Sequence, residues 1–276
     1  MPVIAVLNRK GGSGKSTLAT NLASWLAVEG EPTMLGDTDR QRSARAWLER
    51  RPSSYAEISG WGRDGNKVFR PPPGTTHVVL DTPGALYDHE LAKLLVWVDA
   101  VIVPIGPSIF DFEASVRFIE DLKRIPRINS KRCSIVTVGM RWSQEAVSRW
   151  GDDPRTQQCQ LITVLQEHPA YPAASAQGLG IFDLPAEAMP GNHRAQWEPL
   201  FQWVRLQSKA ERLRRQSVNK ARTSPGCASS SATLPKSGRD GATSPDRKTL
   251  QVPSIPPRSL GDTSSGSWLS RLLHTR

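Results

Sequence analysis

The 276-residue chain has little cysteine: only Cys133, Cys159 and Cys227, far apart and without the spacing of a zinc site or an iron–sulfur cluster. Nothing in that pattern suggests a disulfide framework, so the expectation is three plain thiols in a reduced, cytoplasmic setting. No run of about 18 apolar residues occurs, which excludes a membrane-spanning helix. A strand-like apolar run begins at Val3, so no secretory leader is expected. The first 204 residues also lack net charge, with 22 Lys/Arg against 22 Asp/Glu. Residues 205–276 hold 14 against 4, so the whole net charge of +10 sits in the last quarter. The length suits one α/β domain with an appendage.

What is present alternates strand and helix, predicting a mostly parallel sheet with helices on both faces. Strands are expected at Val3–Leu7, Thr33–Asp37, His77–Asp81, Asp99–Pro104 and Cys133–Gly139, with a shorter one at Gln160–Leu165. Helices are expected at Ser16–Val28, Ser43–Arg50 and Ile109–Lys123. A last helix starts near Trp197 and carries Trp197, Leu200, Phe201 and Val204 as a core-facing stripe. Residues 52–75, rich in Gly and Pro, read as irregular. The body is expected over residues 1–216. Residues 217–276 form a basic tail rich in Ser, Thr, Pro and Gly, disordered over 217–265 because it cannot bury enough apolar area to offset its ordering entropy. Within 267–274 a short amphipathic helix can form, with Trp268, Leu269, Leu272 and Leu273 on one side.

Three strings carry chemistry. Between the first strand and first helix lies Lys10-Gly11-Gly12-Ser13-Gly14-Lys15-Ser16-Thr17. Glycines there let backbone N–H groups converge on phosphate oxygens, and the helix N-terminus adds its positive dipole end. The plain pattern G-x-x-x-x-G-K-[ST] has Gly where Arg9 stands, and the chain instead offers a second lysine, Lys10. Val78-Val79-Leu80-Asp81-Thr82-Pro83-Gly84 is an apolar strand ending in an acid suited to Mg²⁺ through its water shell. Gly36-Asp37-Thr38-Asp39-Arg40-Gln41 is another strand end with two carboxylates.

Together these strings resemble the deviant Walker A ATPases of the ParA/MinD family, over about residues 1–205. The resemblance implies a P-loop fold and ATP with Mg²⁺ as cofactors; no N-K-x-D is present to indicate guanine. By resemblance, Lys15 meets the phosphates in the chain and Lys10 reaches the ATP of a partner copy. Gly11, Gly12, Ser13, Gly14, Lys15, Ser16 and Thr17 cradle the nucleotide, and Met140 and Arg141 lie where the family contacts adenine. Ser16, Asp37 and Asp81 are expected at the metal, and Asp39 at the attacking water, with Lys10, Lys15 and Asp39 as the catalytic set. Asn21 matches an Asn of the family's first helix, and Ala170–Asp183, with Gly178, matches its late A-x-x-x-G-x-x-I/V-x-D stretch. Arg40 stands where the family has Pro, and Gly36 where it has a β-branched residue.

The implied function is an ATP-dependent homodimer that positions or segregates DNA. In the partition branch such dimers bind DNA without sequence preference and hydrolyse ATP slowly until a ParB-like partner stimulates them. Association with the nucleoid follows. Lys209, Arg212, Arg214, Arg215, Lys220 and Arg222 form the densest candidate DNA surface. Two alternatives stay open: a MinD-like positioning ATPase held to membrane by its C-terminal segment, and a nucleotide-gated scaffold with little hydrolysis.

Overall fold

The computed structural model describes residues 1–61, 74–84, 86, 88–150, 159–189 and 191–223. Seven strands form one sheet in the order β3-β2-β4-β1-β5-β6-β7, every neighbouring pair parallel. They are β1 (Val3–Val6), β2 (Thr33–Asp37), β3 (Ile58–Trp61), β4 (His77–Asp81), β5 (Ala100–Ile105), β6 (Ser134–Trp142) and β7 (Leu161–Gln166). The helices are α1 (Lys15–Val28), α2 (Ser43–Arg50), α3 (Asp88–Leu95), α4 (Ile109–Arg124), α5 (Pro126–Asn129), α6 (Gln144–Trp150), α7 (Ala170–Ala176), α8 (Gly191–Ala195) and α9 (Glu198–Thr223).

The strands are near-continuous apolar runs because both faces of the sheet are covered. On one face α1, α2, α7 and α9 enclose Leu18, Leu22, Trp25, Trp47, Ala174, Leu200 and Phe201. On the other, α3 to α6 enclose Leu91, Leu95, Phe112, Phe118, Leu122 and Ile128. The stripe expected on the last helix does pack inward: Trp197, just before it, and Leu200 and Val204 are fully buried, and Phe201 stacks on Trp25 at 3.8 Å between ring centroids. Parallel register sets β1 beside β4 and β5, with Val6 level with both Asp81 and Ile102. Asp37 is level with Asp81. The ligand-bearing ends of β1, β2 and β4 therefore share one edge of the sheet.

Two expectations need correction. The stretch 52–75 is not irregular throughout: β3 pairs with β2 from Thr33↔Ile58 to Gly36↔Trp61. This pairing also explains Gly36, since a Cβ there would lie 2.5 Å from the Trp61 ring and 2.7 Å from Leu80. The second correction concerns the tail boundary. Helix α9 continues to Thr223, past the expected limit at residue 216, and Pro225 follows soon after in the sequence. The amphipathic segment 267–274 and the rest of 224–276 lie outside the described residues.

At the edge opposite the glycine loop, His77 joins β4 to α9. Its Nε2 and the Ser208 hydroxyl are 2.8 Å apart, and Nδ1 lies 3.6 Å from Glu31. Burial, opposed by Glu31 and assisted by the Arg212 charge, pushes His77 down to about 4 from its ordinary 6.5. Because the folded value lies below the unfolded one, the unfolded chain takes up the proton first. Stability present at neutral pH is therefore lost as pH falls from about 6.5 to about 4, by about 3 kcal/mol from this group. Urea unfolding at pH 7 and pH 4.5 should show that loss, and His77→Gln should shrink it; an equal acid sensitivity in the variant would refute the assignment.

Candidate functional site

The loop after β1 takes its shape from its glycines. Gly12 and Gly14 are left-handed, at φ 70° and 94°, and Gly14 lies so close to Met140 that a Cβ would come within 3.1 Å of its side chain. Helix α1 starts at Lys15 with no side-chain cap, leaving its first-turn amides to an external acceptor. Two residues just upstream, which no sequence pattern marks, brace this loop. Buried Asn8 donates to the Pro104 carbonyl and the Ser115 hydroxyl, and its Oδ1 accepts the Lys10 amide. Arg9, at the position of the missing glycine, pairs with Asp121 of α4 and donates from Nε to the Leu86 carbonyl.

The two lysines differ in exposure. Lys10 is exposed, whereas Lys15 is buried and its Nζ donates to the Lys10 carbonyl at 3.2 Å. Burial lowers the Lys15 pKa, against the opposing charges of Asp81 and Asp39. Asp81 is 1% exposed, and neither of its oxygens has a hydrogen-bond partner of good geometry. Burial pushes its pKa up to about 6; the nearby Ser16 hydroxyl and Lys15 favour the carboxylate, and Asp37 and Asp39 oppose it. The Ser13 hydroxyl is likewise buried without a partner.

An orphaned carboxylate beside a hydroxyl and further acids fits a hydrated Mg²⁺, which prefers few protein oxygens and keeps its waters. Among the described residues no group of three or more His, Cys, Asp or Glu could hold a metal ion. Asp81 and Ser16 are the residues that would hold the hydrated Mg²⁺. Asp37 also braces the backbone, since its Oδ1 accepts the Asp39 amide and its Oδ2 the Arg45 amide of α2. It so replaces the cap that Arg42, left-handed and without a side-chain bond, does not provide. Asp39 accepts the Gln41 amide through Oδ1 and is close enough to act on Lys15 and Asp81. Arg40 beside it is exposed.

Other expected positions brace the loop and its surroundings. Met140 is a core residue, 2% exposed, pressed against Gly14, and Arg141, left-handed at φ 58°, donates to the Gly12 carbonyl. Asn21 accepts the Ile181 amide. Asp183 forms a buried bidentate pair with Arg51, both contacts 2.7 Å, and also accepts the Ser24 hydroxyl and the Gly180 amide. These partners hold the Asp183 carboxyl below its ordinary range despite burial. The basic cluster on α9 lies at the opposite edge of the sheet. There Lys209 is exposed, Arg212 pairs with Glu31 at 3.5 Å, and Arg214 donates to the Lys131 and Arg132 carbonyls. The side chains of Arg215, Lys220 and Arg222 lie outside the described residues. No described helix is long and apolar enough to cross a membrane.

Known proteins share the fold and part of the sequence. Residues 4–181 match the family described as the CobQ/CobB/MinD/ParA nucleotide binding domain. The chain is 36% identical over 149 residues to maintenance of carboxysome distribution protein A of Gloeobacter kilaueensis, covering 52% of this chain and 67% of the relative. The protein of that name from Halothiobacillus neapolitanus is 25% identical over 190 residues, covering 66% and 88%. The fold is similar to that of the MinD cell division protein of Aquifex aeolicus, with a TM-score of 0.57 and 17% identity over 74% of this chain and 97% of that one.

The Asp81 environment makes a testable demand. A folded pKa above the unfolded one means that stability falls as pH rises from about 3.8 to about 6, and the cost persists above that window. Asp81→Asn should therefore raise the thermal midpoint of nucleotide-free protein in EDTA at pH 7.5, by up to about 3 kcal/mol in stability. The same variant should lose Mg²⁺-dependent ATP hydrolysis. A lower midpoint would contradict the unpaired-charge account.

Proposed function

The chain belongs to the CobQ/CobB/MinD/ParA nucleotide-binding family and is an ATPase working with ATP and Mg²⁺, and from that premise we propose that it is an ATP-driven dimer switch that positions a cargo. The observation that carries the reading is the pairing of a buried Lys15 with an exposed Lys10 on the same glycine loop. Lys15 serves the phosphates within the chain. Lys10, free to extend outward, serves those held by a second copy. Nucleotide then becomes part of the dimer interface, so ATP favours the dimer through its differential affinity for the two states. Asp39 positions the attacking water, and Ser16, Asp37 and Asp81 serve the metal. Bound Mg²⁺ neutralises charge on the phosphates, while the lysines and loop amides hold them in place.

For cargo, the first reading is DNA: the ATP dimer binds DNA without sequence preference through the basic surface of α9 and the residues beyond it, and a ParB-like partner accelerates hydrolysis. A second reading has its own support. Two relatives are named for carboxysome distribution, which favours a large protein assembly as the object positioned. Membrane attachment through residues 266–276 and a scaffold of low turnover are the remaining alternatives.

Light scattering with a non-hydrolysable ATP analogue tests the switch. Wild type should double in mass, and Lys10→Ala should stay monomeric while binding nucleotide within about threefold of wild type; a normal dimer from the variant would overturn the role of Lys10. For cargo, retention of the ATP state on unrelated DNA sequences should fall steeply from 50 to 200 mM salt, roughly tenfold or more. Retention on liposomes instead, lost on removing residues 266–276, would establish the membrane reading.

A further inference from the structure

We propose that Arg9 is a positioning residue that clamps the segment following Asp81 against the phosphate loop, using α4 as its anchor. The inference rests on the ATPase reading and adds a residue that the motif does not specify. Among the described residues, three contacts converge on this guanidinium. Nη1 lies 2.5 Å from Asp121 Oδ2, Nε donates to the Leu86 carbonyl at 3.3 Å, and the cation sits 5.2 Å from the centroid of the Phe118 ring. The Arg9 carbonyl also faces Gly84, where a Cβ would lie 3.4 Å from it and 3.5 Å from Lys15 Nζ. Gly84 and Leu86 thus lie against the start of the loop, on a backbone that continues directly from Asp81.

The anchor is extended along α4. Ser115, Phe118 and Asp121 recur at helical spacing on the face turned to the loop. Ser115 takes Asn8, and Phe118 and Asp121 take Arg9. Asn8 and Arg9 immediately precede Lys10, so α4 fixes the loop at the point where the exposed lysine departs. A pair as open as Arg9 and Asp121, 24% and 39% exposed, adds little to stability. Its effect is geometric: it sets where the backbone after Asp81 stands relative to Lys15. A bidentate-capable planar cation can hold a carboxylate and a carbonyl at once, which a lysine ammonium at the same position would not reproduce.

The clamp separates hydrolysis from binding. Arg9→Gln removes all three contacts; Asp121→Asn weakens the anchor and a bond to the exposed Arg124, at a half-buried site; Asp121→Glu keeps the charge. Single-turnover hydrolysis of Mg²⁺-ATP should fall about tenfold in the first two and stay within about threefold in the third. ATP affinity should remain within about twofold in all three. Hydrogen exchange of the peptide spanning residues 83–87, measured with a non-hydrolysable analogue, should be faster in Arg9→Gln and Asp121→Asn than in wild type. Wild-type exchange in both variants overturns the clamp, as does affinity that falls in step with rate. Because the exchange measurement needs no turnover, it decides the role of Arg9 even if wild type hydrolyses too slowly to measure, a result that would instead weaken the ATPase reading.

Discussion

A charged carboxylate almost without solvent, Asp81, sets the terms for the rest of the site. Neither of its oxygens has a hydrogen-bond partner of good geometry; the nearby Ser16 hydroxyl favours the carboxylate, while Asp37 and Asp39 push against its ionisation. Lys15 compensates in part, but the same burial lowers the lysine's own pKa. Leaving such a charge unpaired is costly in a low-dielectric setting. In the proposed mechanism a divalent cation and its waters supply the missing ligands and offset that cost. A ligand that binds only the folded chain then adds stability in proportion to its saturation, so binding and folding are linked at this residue.

The parts of the site readable from sequence are those written in contiguous strings. Lys10–Thr17 follows a buried strand and opens a helix, and Asp37 and Asp81 each end a strand, so parallel register alone brings them to one edge. What the sequence does not mark depends on contacts between distant residues. β3 is a four-residue edge strand containing Gly60, ordered by backbone pairing to β2, and no apolar pattern announces it. Gly36 departs from the family's β-branched residue because Trp61 occupies the space of its missing side chain, a contact between positions 25 residues apart. The end of α9 lies beyond its expected boundary because composition changes near Ser217, while Gln216–Arg222 can still propagate a helix already nucleated on the core.

Several motif residues make supporting contacts within the fold. Asp183 holds Arg51 and Ser24, joining the end of α2 to α1, and Asn21 secures the turn containing Ile181. Met140 sits behind Gly14 as a packed surface, so a change of its volume would move the loop even though it is almost fully buried. A sequence pattern records such residues and catalytic ones alike, because both are required for the same geometry. Only burial and partners tell them apart. Asp37 accepts two backbone amides, and each of its oxygens retains a second lone pair for the metal in the proposed mechanism.

The basic surface of α9 illustrates how charge in a composition differs from charge available to a partner. Arg205 is paired with Glu29 at 3.0 Å and Arg212 with Glu31 at 3.5 Å, so a polyanion gains less from these two than from an unpaired cation. The salt dependence of DNA binding counts phosphates neutralised beyond what the protein already neutralises internally. A single copy therefore presents a weaker surface than its +10 suggests. This surface also lies at the edge of the sheet opposite the glycine loop, out of direct reach of the triphosphate. In the proposed mechanism, ATP acts on such binding through valency: two copies joined at the nucleotide edge present two basic surfaces, and the second contact forms at high effective concentration. Dependence on ATP then requires no rearrangement of α9, only a dimer.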